Sequence, residues 1–180
     1  MFQIREATSE DYHLLMEFFT LMNEIINRRT GKYNPENAIF PSGEMVERAI
    51  ADRELYVGMD GEAVAVACIA SHECDDAYQN VHWQVEAGPD EFLVLHALRV
   101  HPDYEGRGLA KQMLRYVIEK AQEKMQKAIR LDVLEGYSVE RMYLPLGFQH
   151  VDTVEIFYED IGFPERFKLF EKVLDLNDEQ

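Results

Sequence analysis

The stretch 92–125 constrains this chain more than any other. Phe92–Val100 is a nearly unbroken apolar run, and His101–Gly108 is a turn with Gly106 and Gly108 one residue apart. From Leu109 apolar residues return at helical spacing: Leu109, Met113, Leu114, Val117, Ile118, Ala121, Met125. Strand, glycine turn and helix in succession belong to a chain that interleaves strands with helices. Glycines let backbone amides approach a ligand closely. A helix N-terminus adds unsatisfied N–H groups and the positive end of the macrodipole. Together they predict a phosphate cradle. Arg107 and Lys111 bring positive charge to it, in a chain with 18 Lys and Arg against 34 Asp and Glu, a net charge of −16. Two phosphate motifs are excluded. There is no Gly-Lys-Ser/Thr, and Lys111 stands where a dinucleotide fingerprint needs its third glycine. Taken alone, Gly106-x-Gly108 suits a structural tight turn as well as a ligand loop.

The rest of the chain reads as one domain over residues 1–180, a usual size for a single core. Phe2–Ala7 is a predicted strand. Thr8 with Asp11 resembles a capping box, and the spacing of Leu14, Leu15, Phe18, Leu21, Met22, Ile25 and Ile26 predicts a helix ending before Gly31. Residues 28–43, with Pro35 and Pro41, read as a loop, and Ser42–Asp52 as a second helix. Glu54–Met59 and Glu62–Ser71 form a predicted hairpin around Asp60-Gly61, a pair suited to a type I′ turn. Residues 72–90 are acidic and polar, and Val81, Trp83 and Val85 alternate as in a short extra strand or a structured loop. Ala128–Leu134 is a strand, Ser138–Leu144 a short helix, Phe148–Tyr158 one or two strands, and 163–176 a last strand. The fold class is therefore α/β (α+β), with a mixed sheet.

The acidic balance argues against a nucleic-acid partner and an anionic membrane surface, and mildly favours cationic partners. No apolar run approaches the roughly 18 residues of a membrane span. Cys68 and Cys74 form no CxxC pair, so neither a zinc site nor a disulfide scaffold is indicated, and a reducing cytoplasm is the expected setting. The six histidines show no metal-ligand spacing, and no metal is expected.

Glu105-Gly106-Arg107-Gly108-Leu109-Ala110 resembles the pyrophosphate-binding motif of the GNAT superfamily of N-acetyltransferases, written Gln/Arg-x-x-Gly-x-Gly/Ala. The preceding Leu98-Arg99-Val100-His101-Pro102 resembles the family's strand and its V-x-P exit, and Met142–Phe148 resembles its L-Y-x-x-x-G-F segment. The resemblance extends over nearly the whole chain and is sharp over about 93–150. It implies a twisted mixed sheet flanked by helices, acetyl-CoA as acetyl donor, and direct attack by a primary amine with no covalent enzyme intermediate. It places acetyl-CoA in a gap between Phe92–Val100 and Ala128–Leu134. Backbone groups of Leu98, Arg99 and Val100 then meet pantetheine, and Glu105, Gly106, Arg107, Gly108, Leu109, Ala110 and Lys111 form the pyrophosphate loop. Two departures stand out. Glu105 replaces Gln or Arg, and the usual Asn before the tyrosine helix is absent, with Gly136 or Tyr137 in its place.

The resemblance assigns Tyr143 as the acid that protonates the departing CoA thiolate, against the plainer reading of a packed aromatic. Some family members carry a base at the position of His96. An imidazole suits that role, since its ordinary pKa lies near neutrality. By strand alternation His96 shares a face with Leu98 and Val100. Tyr78 and Trp83, in the acidic loop with Glu73, Asp75 and Asp76, are candidate substrate-binding residues, against a solvated loop. His101 reads as a turn residue, Glu91 as a loop charge, and the Met113/Val117/Met125 stripe as core. The acceptor is a small-molecule or peptide amine, with cationic ones favoured by charge. A homodimer is the family's common habit. Two rivals remain at this stage: a CoA-binding regulatory or interaction module without catalysis, and a phosphate-ligand binder unrelated to CoA.

Overall fold

A computed structural model describes residues 1–34 and 36–175. The elements are β1 (Phe2–Glu6), α1 (Tyr12–Thr30), α2 (Gly43–Ala51), β2 (Leu55–Asp60), β3 (Ala63–Ser71), β4 (Phe92–Val100), α3 (Leu109–Glu123), β5 (Ala128–Leu134), α4 (Glu140–Tyr143), β6 (Gln149–Phe157) and β7 (Pro164–Val173). The strands form one mixed sheet in the order β1-β2-β3-β4-β5-β7-β6, flanked by helices as expected. Pro35 and Leu176, named above in a loop and a strand, lie outside the described residues. Among the described residues no helix is long and apolar enough to cross a membrane.

The chain divides into two compact units. The first contains 1–69, 97–113 and 157–164. There β1 pairs antiparallel with β2, and β2 with β3. Helix α1 buries Leu15, Phe18, Phe19 and Met22. They join Val46 of α2 and Leu55 and Val57 of β2 in one hydrophobic cluster. Each such side chain contributes about 1.5–3 kcal/mol on burial. Gly31 ends α1 with φ +65, its N–H donating to the Asn27 carbonyl. Ser42 caps α2 by accepting from the Met45 N–H at 3.1 Å.

The entry to α1 is tied by Asp11. Its carboxylate accepts from the Thr8 N–H at 2.7 Å and from both terminal nitrogens of Arg5 at 2.7 and 2.9 Å. The Arg5 bonds are the main reason its pKa falls from 3.8 to about 2. The Thr8 hydroxyl also donates to this carboxylate, so the box is closed mainly by Asp11 reaching back.

The hairpin turn differs from expectation. Asp60 pairs with Ala63, so Gly61 and Glu62 are the turn residues, and of these only Gly61 has positive φ. That is a type II′ pattern, in which glycine takes the first central position, rather than type I′.

The second unit contains 70–96, 114–156 and the described residues from 165 onward. Here β4 and β5 pair in parallel at Phe92–Ala128, Leu93–Ile129 and Val94–Arg130, and β5 pairs antiparallel with β7 from Ala128–Val173 to Leu134–Phe167. Arg130 and Glu171 are 3% and 0% exposed. Their Nε and Oε2 atoms lie 2.8 Å apart. Glu171 also accepts from the Gln84 N–H at 2.6 Å, and Arg130 donates to the Val85 carbonyl at 3.0 Å. The guanidinium lies over the Trp83 ring at 4.3 Å and the Phe92 ring at 4.1 Å. These contacts explain why Val81, Trp83 and Val85 alternate without forming a strand. Val81 is buried, the Trp83 indole N–H donates to the Tyr78 carbonyl, and the Val85 carbonyl is taken by Arg130. The segment is a structured loop with a 3-10 turn at Asp76–Asn80.

Two further corrections concern periodicity. Met125 lies past the end of α3, has φ +55 and is 66% exposed, so the buried stripe does not reach it. Ala97, inside β4, has φ +51, and Phe92–Leu95 are all buried rather than alternately so. A left-handed residue breaks the pleat, so alternation does not carry the face of His96 across to Leu98 and Val100.

Two predictions follow from these features. Asp11→Asn lowers stability at pH 7 by about 2 kcal/mol. The deficit narrows as the pH falls from about 4 to about 2, where the native carboxylate protonates as well. Urea unfolding of both proteins across that range measures it. Ala97→Gly is close to neutral, since left-handed strain relieved offsets the lost methyl, whereas Ala97→Val costs about 2 kcal/mol or more. Thermal melts of the two variants check the sign.

Candidate active site

The first unit carries the candidate anion cradle. At the end of β4 the His101 N–H donates to the Ala65 carbonyl at 2.9 Å. The chain makes a 3-10 turn at Pro102–Tyr104, with His101 Nδ1 accepting from the Asp103 N–H at 3.2 Å. His101 is thus a turn residue. Gly106 and Gly108 follow with φ +77 and +73. A Cβ at either would meet nothing within 4 Å, so glycine is required there by conformation and not by crowding. The Gln112 N–H reaches the Gly108 carbonyl at 3.1 Å and opens the ladder of α3. Among the described residues, no oxygen accepts from the N–H groups of Gly106, Arg107, Gly108, Leu109, Ala110 or Lys111. Six successive donors therefore stand at a helix N-terminus, where the dipole favours an anion.

The charged side chains around this loop are pinned. Arg107 donates to the Asp103 carbonyl at 2.9 Å, and its guanidinium covers the Tyr104 ring at 5.0 Å. Arg99 donates to the Leu98 carbonyl at 3.0 Å. Leu98, Arg99 and Val100 are half-buried, and Lys111 is exposed. The Glu105 carboxylate, at the position where a phosphate-binding loop least wants one, accepts from Arg29 at 2.7 Å. That bond raises the Arg29 pKa, so the guanidinium stays charged against it. Arg29 lies 76 residues away in the sequence, and no local pattern connects it with Glu105.

The second unit holds the other candidates. His96 is half-buried, and its Nε2 lies 2.8 Å from the Glu73 carbonyl. A carbonyl only accepts, so Nε2 carries the proton and Nδ1 the lone pair. Burial lowers the His96 pKa against the opposing pull of the Glu73 carbonyl and of the Asp132 and Glu73 charges. The ring is therefore neutral, and able to accept a proton, near pH 7. Tyr143 is buried on the one-turn helix α4, its ring edge-on to Phe148 at 5.6 Å and inclined to Phe170 at 6.4 Å. Gly136, where the expected Asn is missing, has φ +95. With Tyr137, Ser138, Glu140, Arg141 and Lys168 it lines a cavity of about 290 Å³. Tyr78 is buried and its hydroxyl donates to Asp132 Oδ2 at 2.7 Å. Trp83 packs on Arg130 and on the Tyr78 ring. Glu91 accepts from the Gly88 N–H and from Lys127, each at 2.7 Å, which is a loop-holding role. Among the described residues, no group of three or more His, Cys, Asp or Glu is placed to hold a metal ion.

The sequence profile of the Acetyltransferase (GNAT) family matches residues 15–148, well over half of the chain. The chain belongs to this family. The fold agrees with solved structures. A GNAT-family acetyltransferase from Streptococcus agalactiae 2603 superposes with a TM-score of 0.74 at 18% identity, over 97% of this chain and 96% of that one. The yncA protein of Salmonella typhimurium, solved with its cofactor acetyl-CoA, gives 0.70 at 14% identity, over 99% and 96%. The ribosomal-protein-S18-alanine N-acetyltransferase of Escherichia coli gives 0.68 at 15%, over 100% and 98%. No match is found among curated proteins. A GNAT protein is an acetyltransferase with acetyl-CoA as donor, and the six unpaired N–H groups at Gly106–Lys111 are a fitting receptor for its pyrophosphate.

In this GNAT loop the Arg29–Glu105 pair neutralises the Glu105 departure. Arg29→Ala weakens acetyl-CoA binding by about 3–10-fold by exposing the cradle to an uncompensated carboxylate, and Glu105→Gln in the same chain restores it. Calorimetric titration of the single and double variants measures both effects.

Proposed function

We propose that this GNAT acetyltransferase, read as one domain over residues 1–180, transfers acetyl to a primary amine with the following division of labour. Bound acetyl-CoA supplies an acyl group already activated as a thioester. Backbone N–H groups from Gly106 to Lys111 hold the pyrophosphate, and backbone groups of Leu98, Arg99 and Val100 align the pantetheine arm. His96 Nδ1 takes the proton of the attacking amine, and the Tyr143 hydroxyl returns a proton to the departing thiolate. A phenol with an ordinary pKa near 10 can donate to a thiolate whose parent thiol lies near 8.5 when held close to it. Proximity supplies much of the remaining acceleration.

The observation that carries this reading is the run of six unpaired N–H groups behind two left-handed glycines, in a chain that the family profile matches. The acceptor is an amine, and the net charge of −16 favours a cationic one. The Escherichia coli relative is named for a ribosomal-protein alanine, so peptide N-termini belong in the acceptor panel beside small amines. Tyr78 and Trp83 serve the acceptor side by holding the 72–91 loop to Asp132 and Arg130. We place the protein in the cytoplasm, where the buried Cys68 and exposed Cys74 remain thiols, and retain the family's homodimer as its expected state.

Calorimetry with acetyl-CoA, using ADP and inorganic phosphate as controls, tests the cradle: selective micromolar binding supports it, and equal binding of simple phosphates overturns it. Tyr143→Phe lowers kcat about 100-fold or more in a thiol-release assay while leaving acetyl-CoA affinity within about twofold. Unchanged turnover removes Tyr143 as the acid.

A further inference from the structure

The parallel ladder between β4 and β5 has a constant offset. Phe92, Leu93 and Val94 face Ala128, Ile129 and Arg130. The ladder ends at Val94–Arg130, His96 and Asp132 each follow two residues later on these neighbouring strands, and the Asp132 charge acts on the His96 ring. The loop between β3 and β4 ties both ends of this pair. Its Glu73 carbonyl takes the His96 Nε2–H at 2.8 Å, and its Tyr78 hydroxyl donates to Asp132 Oδ2 at 2.7 Å. One segment thus orients the imidazole and the carboxylate together.

We propose that Asp132, held by Tyr78, is the positioning residue of His96: its charge stabilises the imidazolium that forms when the ring takes the acceptor's proton. The proposal rests on the reading of His96 as base. As the acceptor nitrogen bonds to the acetyl carbon, its N–H bond breaks, the electron pair stays on nitrogen and the proton moves to Nδ1. The imidazolium then discharges to water. Burial works against this charged form, and the negative groups facing the ring work for it. They are Asp132 from β5 and Glu73 from the loop. Asp75 and Asp76 lie further along that loop. Arg130, two residues before Asp132, is engaged by Glu171, and His72 is turned to the Phe92 carbonyl at 2.8 Å. A carboxylate in this place therefore opposes the desolvation that would otherwise leave the ring too weak a base.

The test follows the His96 ring signal by NMR against pH, assigned by its loss in His96→Gln. The measurement is paired with the pH profile of kcat/KM for wild type, Asp132→Asn, Asp132→Glu and Tyr78→Phe. Asp132→Asn is expected to lower the His96 pKa, to move the acid limb of the profile to lower pH, and to reduce the plateau about 3–10-fold as the base weakens. Asp132→Glu keeps the charge and holds the ring pKa above that of Asp132→Asn. Tyr78→Phe moves it in the direction of Asp132→Asn. Thermal melts of each variant confirm a folded protein. An unchanged His96 pKa in folded Asp132→Asn overturns the proposal whatever the turnover. A lowered ring pKa with an unmoved acid limb overturns the base reading beneath it, and the two failures are thereby distinguished.

Discussion

The buried pair of Arg130 and Glu171 is the interaction on which the second unit depends. Two charges removed from water carry a desolvation cost that only close pairing and full hydrogen bonding offset. Here the cost is met from three directions: by each other at 2.8 Å, by the Gln84 N–H and Val85 carbonyl, and by the Trp83 and Phe92 rings. Loss of either partner would leave a buried charge alone, at about 3–5 kcal/mol. The consequence is geometric as well as energetic. The 72–91 loop is fastened to β5 and β7, and that same loop presents its Glu73 carbonyl to His96 and its Tyr78 hydroxyl to Asp132. Chemistry assigned to a strand residue is therefore aimed by a loop.

The first unit solves a different problem. In the proposed function an acidic chain presents a site for a pyrophosphate, and its own Glu105 stands in the candidate loop. Backbone N–H groups carry no counter-charge to be cancelled, and the helix dipole adds to them. The carboxylate is drawn off to Arg29, near the end of α1. Under the proposed main-chain binding, the loop can carry a side chain of the same sign as its ligand because that side chain is engaged by Arg29. Within this loop, glycine is required at Gly106 and Gly108 by their positive φ.

Local patterns were legible in the sequence and long-range partners were not. The period of 3.6 over Leu14–Ile26 and Leu109–Ala121 reports helices α1 and α3, because one buried stripe repeats at that spacing. Gly106 and Gly108 report the left-handed turn ahead of α3 because few other residues adopt their conformation. The alternation at Val81, Trp83 and Val85 left a strand and a structured loop open, and the loop is what forms, because their partners are an arginine and a carbonyl rather than a neighbouring strand. Ala97, by contrast, misled. Nothing in an alanine advertises a left-handed φ, and the conformation is imposed by the strand around it.

By itself the sequence determined the order of strands and helices, the glycine turn ahead of α3, and the motifs that mark a GNAT acetyltransferase. These are written over spans of a few residues to one helix, where spacing and backbone preference act directly. Tertiary structure decided the pairings: Arg29 with Glu105, Tyr78 with Asp132, and Arg130 with Glu171. Each joins residues dozens of positions apart. A buried or opposed charge finds its partner only when the sheet register and helix packing bring the two together, and that register is a property of the whole chain.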